Sequence, residues 1–232
     1  MRQIVFDTET TGIDPTKGHR VIEIGCVEVI DRAITDNYFH VYINPDRDID
    51  PGALSVHGLT VNFLSDKPRF KSIVNDFIEF IRNAELIAHN ASFDVRFIDS
   101  ELSMAGFESL ISYCSGIIDS LDHARKLRPG KRNSLDALCD FYNISNKDRA
   151  LHGALLDARL LANVWLSMTR GQDELMINNK TNSYLRKNEY INNNLYLNLP
   201  ILRATNEEQK EHNKYIEELQ KHQKNDKKSI WP

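Results

Sequence analysis

The first apolar run of the chain, Ile4-Val5-Phe6, passes directly into the polar stretch Asp7-Thr8-Glu9-Thr10-Thr11-Gly12. A short apolar run bounded by such a turn signal predicts a buried strand. Val21 to Val29 predicts a second strand, with Val21, Glu23, Gly25, Val27 and Val29 on one face and Ile22, Ile24, Cys26 and Ile30 on the other. Tyr38 to Ile43 predicts a third, stopped by Asn44-Pro45. The links are a turn-rich patch, Asp14 to Gly18, and a tight turn at Asp31-Arg32, so the three strands predict an antiparallel meander. Asp48 to Thr60 reads as a loop. Phe70 to Arg82 predicts an amphipathic helix with Phe70, Ile73, Val74, Phe77, Ile78 and Ile81 on one side. A short strand at Glu85 to Ala88, a helix at Phe93 to Gly106 and a strand at Gly116 to Ile118 follow. Ser120 is expected to cap a helix that Arg128-Pro129-Gly130 breaks. Ser134 to Tyr142 and Leu151 to Met168 are the last helices, with Gly171 closing the domain. The pattern predicts an α/β domain over 1–171: a mixed sheet, antiparallel meander plus parallel strands, flanked by helices.

Beyond Gln172 the periodicity is lost to Asn, Lys and Glu, which predicts a flexible linker over 172–204. In 205–232, Thr205 and Glu208 form a capping box, and His212, Tyr215, Ile216 and Leu219 fall on one stripe. Ile230-Trp231 follows a charged run with no core of its own to join, which suits a disordered end or an anchor for a partner protein. Of the 232 residues 41% are hydrophobic, enough for a sizeable core, and the net charge is -4. That charge argues against a protein that coats nucleic acid by bulk electrostatics. The three cysteines, Cys26, Cys114 and Cys139, are scattered without zinc-like spacing and suit reduced thiols in a cytoplasmic protein. No apolar run approaches the roughly 18 residues of a membrane span, and no leader pattern opens the chain.

The candidate chemistry lies in acids. Strand alternation places Asp7 and Glu9 on one face at a strand end, where like charges repel unless a cation stands between them. Bare carboxylates suit a hard divalent ion, Mg²⁺ or Mn²⁺. Asp94 opens a helix, where Asp is ordinarily a cap. Asp157 lies in an apolar row with Ala154, Ala158, Leu161, Trp165 and Met168, a costly position for a charge with nothing to neutralise it. His152 is separated from Asp157 by about 140° on a continuous helix, so the two converge only if His152 lies in the loop before it. Gly153 permits that bend. A neutral imidazole there suits a general base.

Asp7-x-Glu9, Asp94 and His152-x4-Asp157 resemble the three motifs of the DEDDh 3′→5′ exonucleases, a branch of the ribonuclease H-like fold. The likeness extends through Val56-His57-Gly58, His89-Asn90-Ala91, 129–139 and 151–157. It implies that Asp7, Glu9, Asp94 and Asp157 hold or position two Mg²⁺ or Mn²⁺ ions, and that His152 activates water. It also implies that Thr10 and His57, together with Asp7, Glu9 and Asp157, contact the terminal nucleotide of a single-stranded or frayed DNA 3′ end. The family pattern carries an acidic residue near Gly52, and here that side chain is absent. By the same likeness, 205–232 would bind the catalytic subunit of a replicative polymerase and Gln172 to Met176 a sliding clamp. Arg125, Lys126, Arg128, Lys131 and Arg132 form one basic cluster, a solvated helix end or a set of phosphate contacts. The competing functions are a free-standing trimmer of RNA or oligonucleotides and a non-catalytic scaffold joining polymerase and clamp. Keeping all four acids and His152 disfavours the scaffold.

Overall fold

The computed structural model describes residues 1–146, 151–170 and 204–222. The chain divides into two compact units, Met1–Thr181 and Asn182–Pro232. All of the expected linker over 172–204 except Ala204, with the clamp peptide Gln172 to Met176, Gly171 and the end from Gln223 to Pro232, lies outside the described residues.

In the first unit, β1 (Arg2–Thr10), β2 (Val21–Ile30), β3 (Ala33–Tyr42), β4 (Glu85–Ala88) and β5 (Gly116–Asp119) form one sheet in the order β3-β2-β1-β4-β5. β1 is antiparallel to β2 and parallel to β4, and β4 is parallel to β5. The expected meander plus parallel strands is therefore present. The helices are α1 (Pro51–His57), α2 (Val61–Leu64), α3 (Phe70–Ile81), α4 (Ala91–Ala105), α5 (Ser120–Leu127), α6 (Leu135–Tyr142) and α7 (Ala154–Met168).

Alternation along β1 divides the core. Ile4 and Phe6 pack with Ile24 and Cys26 of β2 against α3 and α4. Val5 packs with Val27, Val29 and Ile87 against α5, α6 and α7. A sheet buried on both faces by apolar side chains is stable only between two helical layers, which explains why nine of the ten positions of β2 are buried. Arg20 and Glu101 fasten α4 to the start of β2 by two hydrogen bonds of 2.7 Å.

Two expectations change. Asp48 to Thr60 contains a helix: Asp50 precedes Pro51 at the first helical position, and Gly58, at φ 71°, closes it in the left-handed region. The cap of α5 is Asp119, whose side chain accepts from Leu121 N at 2.9 Å. Ser120 Oγ instead donates to the Ala88 carbonyl at 3.1 Å, tying the start of α5 to β4.

The second unit holds α8 (Asn206–His222). The capping box forms: Glu208 N donates to Thr205 Oγ1 at 3.3 Å, and Thr205 N donates to Glu208 Oε2 at 2.7 Å. His212 and Tyr215 are exposed. No helix among the described residues is long and apolar enough to cross a membrane.

Candidate active site

β1 outruns its pairing with β4, which ends at Val5 and Ile87. Beyond that point the sheet opens into a cleft at the carboxyl ends of two parallel strands, where open α/β sheets place ligands. The cleft is about 270 Å³ and is lined by Asp7, Glu9, Asp94, Asp136, His152 and Asp157, with Thr8, His89, Asn90, Phe93, Ser134 and Leu135 completing the wall.

Each acid arrives for a local reason. Asp7 and Glu9 continue the alternation of Val5 and so face the α7 layer. Asp7 is paired with Gly25 across the β1–β2 ladder. A Cβ on Gly25 would lie 2.2 Å from Leu155 N and 2.3 Å from the Ala154 carbonyl carbon. The missing side chain is what lets the first turn of α7 settle on the sheet, with Asp157 in that turn and buried at 2% exposure. His152 stands before the helix, as the loop expectation required, because Gly153 is the N-cap in an extended conformation. Its backbone N donates to the Val56 carbonyl at 3.1 Å, so the end of α1 holds the loop. His152 Nδ1 lies 3.1 Å from Asp157 Oδ2. Glu9, His152 and Asp157 each offer a ligand atom within 4.8 Å of the others.

Asp94 comes from the opposite layer. Thr8 points toward α4, and its backbone N and Oγ1 donate to Asp94 Oδ1 at 3.1 and 2.7 Å. Asp94 thus bonds across to β1 rather than capping its own helix. Burial pushes its carboxyl up to about 7 against the opposing pull of the Thr8 bonds, and the Asp119 carboxylate adds to the rise. Asp119 also accepts from Asn90 N and Ala91 N at 3.1 Å each, which fixes the start of α4 through a left-handed Asn90. Glu23 sits directly across the ladder from Glu9, and its charge is met by His40 Nε2 at 2.7 Å. Like charges directly opposite on a sheet destabilise it, so the His40 contact offsets that repulsion.

The structure brings Asp7, Glu9, Asp94, His152 and Asp157 together. Thr10 and His57 are not in the cleft wall. Thr10 Oγ1 donates to the Gly12 carbonyl at 2.6 Å. His57 is buried, and its Nδ1 accepts from Leu59 N at 3.0 Å, which leaves the proton on Nε2. That Nε2 has no hydrogen-bond partner among the described residues. Burial lowers the His57 pKa, with the neighbouring Thr10 backbone opposing the shift only in part. A Cβ at Gly52 would meet nothing within 4 Å, so the position has room for a side chain that this chain does not supply. Sequence reasoning passed over Asp136, Asp119 and Gly25. Asp136 follows the Ser134 cap, a place where Asp is common for helical reasons alone.

A family model for exonucleases, RNase T, matches residues 4–165. The chain is 48% identical over 225 residues to DNA polymerase III subunit epsilon of Buchnera aphidicola subsp. Acyrthosiphon pisum (strain APS), covering 93% of this chain and 94% of that one. It is 52% identical over 180 residues to the same subunit of Escherichia coli (strain K12), covering 75% and 74%. Among solved structures, exonuclease X in complex with 5′ overhanging duplex DNA superposes with a TM-score of 0.59 at 27% identity, covering 74% of this chain and 93% of that one. The chain belongs to the RNase T exonuclease family and, within it, to the epsilon subunits of DNA polymerase III.

Proposed function

We propose that the chain removes mispaired nucleotides from single-stranded or frayed DNA 3′ ends in the cleft of Asp7, Glu9, Asp94, His152 and Asp157, releasing nucleoside 5′-monophosphates. Proofreading 3′→5′ exonuclease activity is that of the epsilon subunits, to which the chain belongs. The observation that carries the assignment of residues is the meeting of Glu9, His152 and Asp157 within 4.8 Å inside a cleft whose described walls hold five carboxylates and no Lys or Arg.

Exonucleases of this family use divalent metal ions. The donor set fits such ions: carboxylate oxygens drawn from β1, α4 and α7, hard donors suited to Mg²⁺ or Mn²⁺. Asp94, pushed up to about 7 by burial, is a carboxylate that gains from a neighbouring cation. Asp7, Glu9, Asp94 and Asp157 would hold two of them, and when bound they supply positive charge to an anionic phosphodiester and its departing oxygen.

His152 is the general base. A carboxylate only accepts, so the Nδ1 proton is directed to Asp157 and Nε2 keeps its lone pair. At 43% exposure the ring is open to solvent, and Nε2 can take a proton from the water that attacks phosphorus. The bond from phosphorus to the 3′-oxygen of the preceding nucleotide breaks. His57, with an unmet Nε2–H donor, is a contact for the terminal nucleotide, and Thr10 is a second through its backbone and its hydroxyl lone pair. Residues 1–171 act as the nuclease domain, joined through 172–204 to a segment, 205–232, that binds the catalytic subunit of DNA polymerase III in the cytoplasm. Gln172 to Met176 is a contact for the sliding clamp.

Single DNA and RNA strands labelled at either end, incubated with and without Mg²⁺, test this reading. It expects 5′-mononucleotides released from the 3′ end of DNA only when the ion is present. Release from the 5′ end, metal-independent release, or a preference for RNA would refute it.

A further inference from the structure

A second cavity, about 480 Å³, adjoins the catalytic cleft and shares His89 and Ser134 with it. Its wall changes sign: Arg125, Arg128 and Lys131 line it, and no acid does. The turn Arg128-Pro129-Gly130 joins the end of α5 to the approach of α6, and Gly130 makes the reversal at φ 72°. His89 Nε2 donates to the Asn133 carbonyl at 2.9 Å, so the end of β4 fastens this turn to the catalytic side. Asn133 Nδ2 donates to the Arg128 and Lys131 carbonyls at 3.3 and 3.1 Å, which holds the turn in shape.

Arg128 is the informative residue. Its guanidinium stacks 4.1 Å from the Phe141 ring centroid, and its Nη1 is buried with no hydrogen-bond partner. Among the described residues no carboxylate pairs with Arg128 or Lys131, whereas Arg125 meets only the exposed Asp122. A half-buried guanidinium fixed by an aromatic ring and left without a counter-charge is costly, and an anion relieves that cost. Asn133 Oδ1, the other unmet atom here, is an acceptor and suits a bridging water.

We infer that this cavity is a phosphate subsite for the nucleic-acid backbone, in which Arg128, aided by Lys131 and Arg125, takes a phosphodiester of the strand whose 3′ end lies in the cleft. The inference rests on the proposed function, since a strand must enter the cleft for its neighbouring phosphate to reach this wall. The division of labour is physical. The acidic cleft repels a polyanion except through its cations, and the basic wall beside it attracts the strand directly. This also reconciles strand binding with a net charge of -4.

The test is the affinity of the full chain for a fluorescein-labelled oligothymidylate with Ca²⁺ in place of Mg²⁺, measured against salt for the parent, Arg128→Gln and Lys131→Gln. A lost backbone contact lowers the slope of log affinity against log salt by about 0.7 per phosphate and weakens binding several-fold at low salt. Lys131 is exposed, so its variant reads the contact even if Arg128→Gln disturbs the fold, and Arg128→Lys should recover part of the loss. Parent slope and affinity in both glutamine variants would overturn the inference. So would an equal weakening of thymidine 5′-monophosphate, which would assign the wall to the released product. Hydrolysis of the same strand by the parent with Mg²⁺ is read separately, so failure of the proposed function is told apart from failure of the subsite.

Discussion

His152 and Asp94 carry the clearest consequences of single side chains. If His152 is the base proposed above, replacing it by alanine removes the proton acceptor while leaving the acids in place, and should slow nucleotide release by about 10²–10⁴. Single-turnover rates check this, and a parent rate would move the base elsewhere. Asp94 links the site to stability. Its carboxyl ordinarily titrates near 3.8 and is pushed up to about 7 in the folded chain. As pH rises between those values, the unfolded chain gives up a proton that the folded chain keeps, so metal-free protein loses stability over that window. Thermal melts in chelator should show the decline, Asp94→Asn should flatten it, and Mg²⁺ should raise Tm more at about pH 8 than at about pH 5. A decline unchanged by Asp94→Asn would contradict the assignment.

The arrangement of helices on the sheet decides whether the acids meet at all. Asp157 reaches Glu9 because Gly25 leaves no atom between β2 and the start of α7. Gly25→Ala should force the helix outward, cost about 1–3 kcal/mol by overpacking, and reduce nucleotide release far more than that loss of stability explains. Paired denaturation and activity measurements check it. A sound fold with full activity would show that the close approach is unnecessary. Much of this was legible beforehand. Alternation placed Asp7 and Glu9 together, and the apolar row around Asp157 marked a carboxylate with no reason to be buried. The Gly153 bend put His152 in reach. What escaped the sequence was tertiary. Pro51-Gly52 reads as a turn until the Asp50 and Gly58 ends of α1 are seen together. The role of Gly25 depends on atoms of residues 154 and 155, far along the chain. Asp119 displaces Ser120 as the cap of α5, and it also fixes the start of α4 through Asn90 and Ala91.

At the scale of the whole molecule the chain divides into two compact units, Met1–Thr181 and Asn182–Pro232. In our reading the first unit cuts and the second attaches. A chain ending at Arg170 should therefore hydrolyse single strands at close to the parent rate and fail to co-elute with the catalytic subunit of DNA polymerase III. Persistent co-elution would refute the attachment role of 205–232. In the proposed mechanism, nucleotide release depends on acids from β1, α4 and α7 acting as one centre. Residues that act as a unit are non-additive: losing one costs about as much as losing all. The decisive measurement is the Mg²⁺-dependent rate of nucleotide release by Asp7→Ala, Asp94→Ala, Asp157→Ala and the triple variant. We expect all four to fall to the same background. A single variant that keeps the parent rate would show that its carboxylate stands outside the reacting centre.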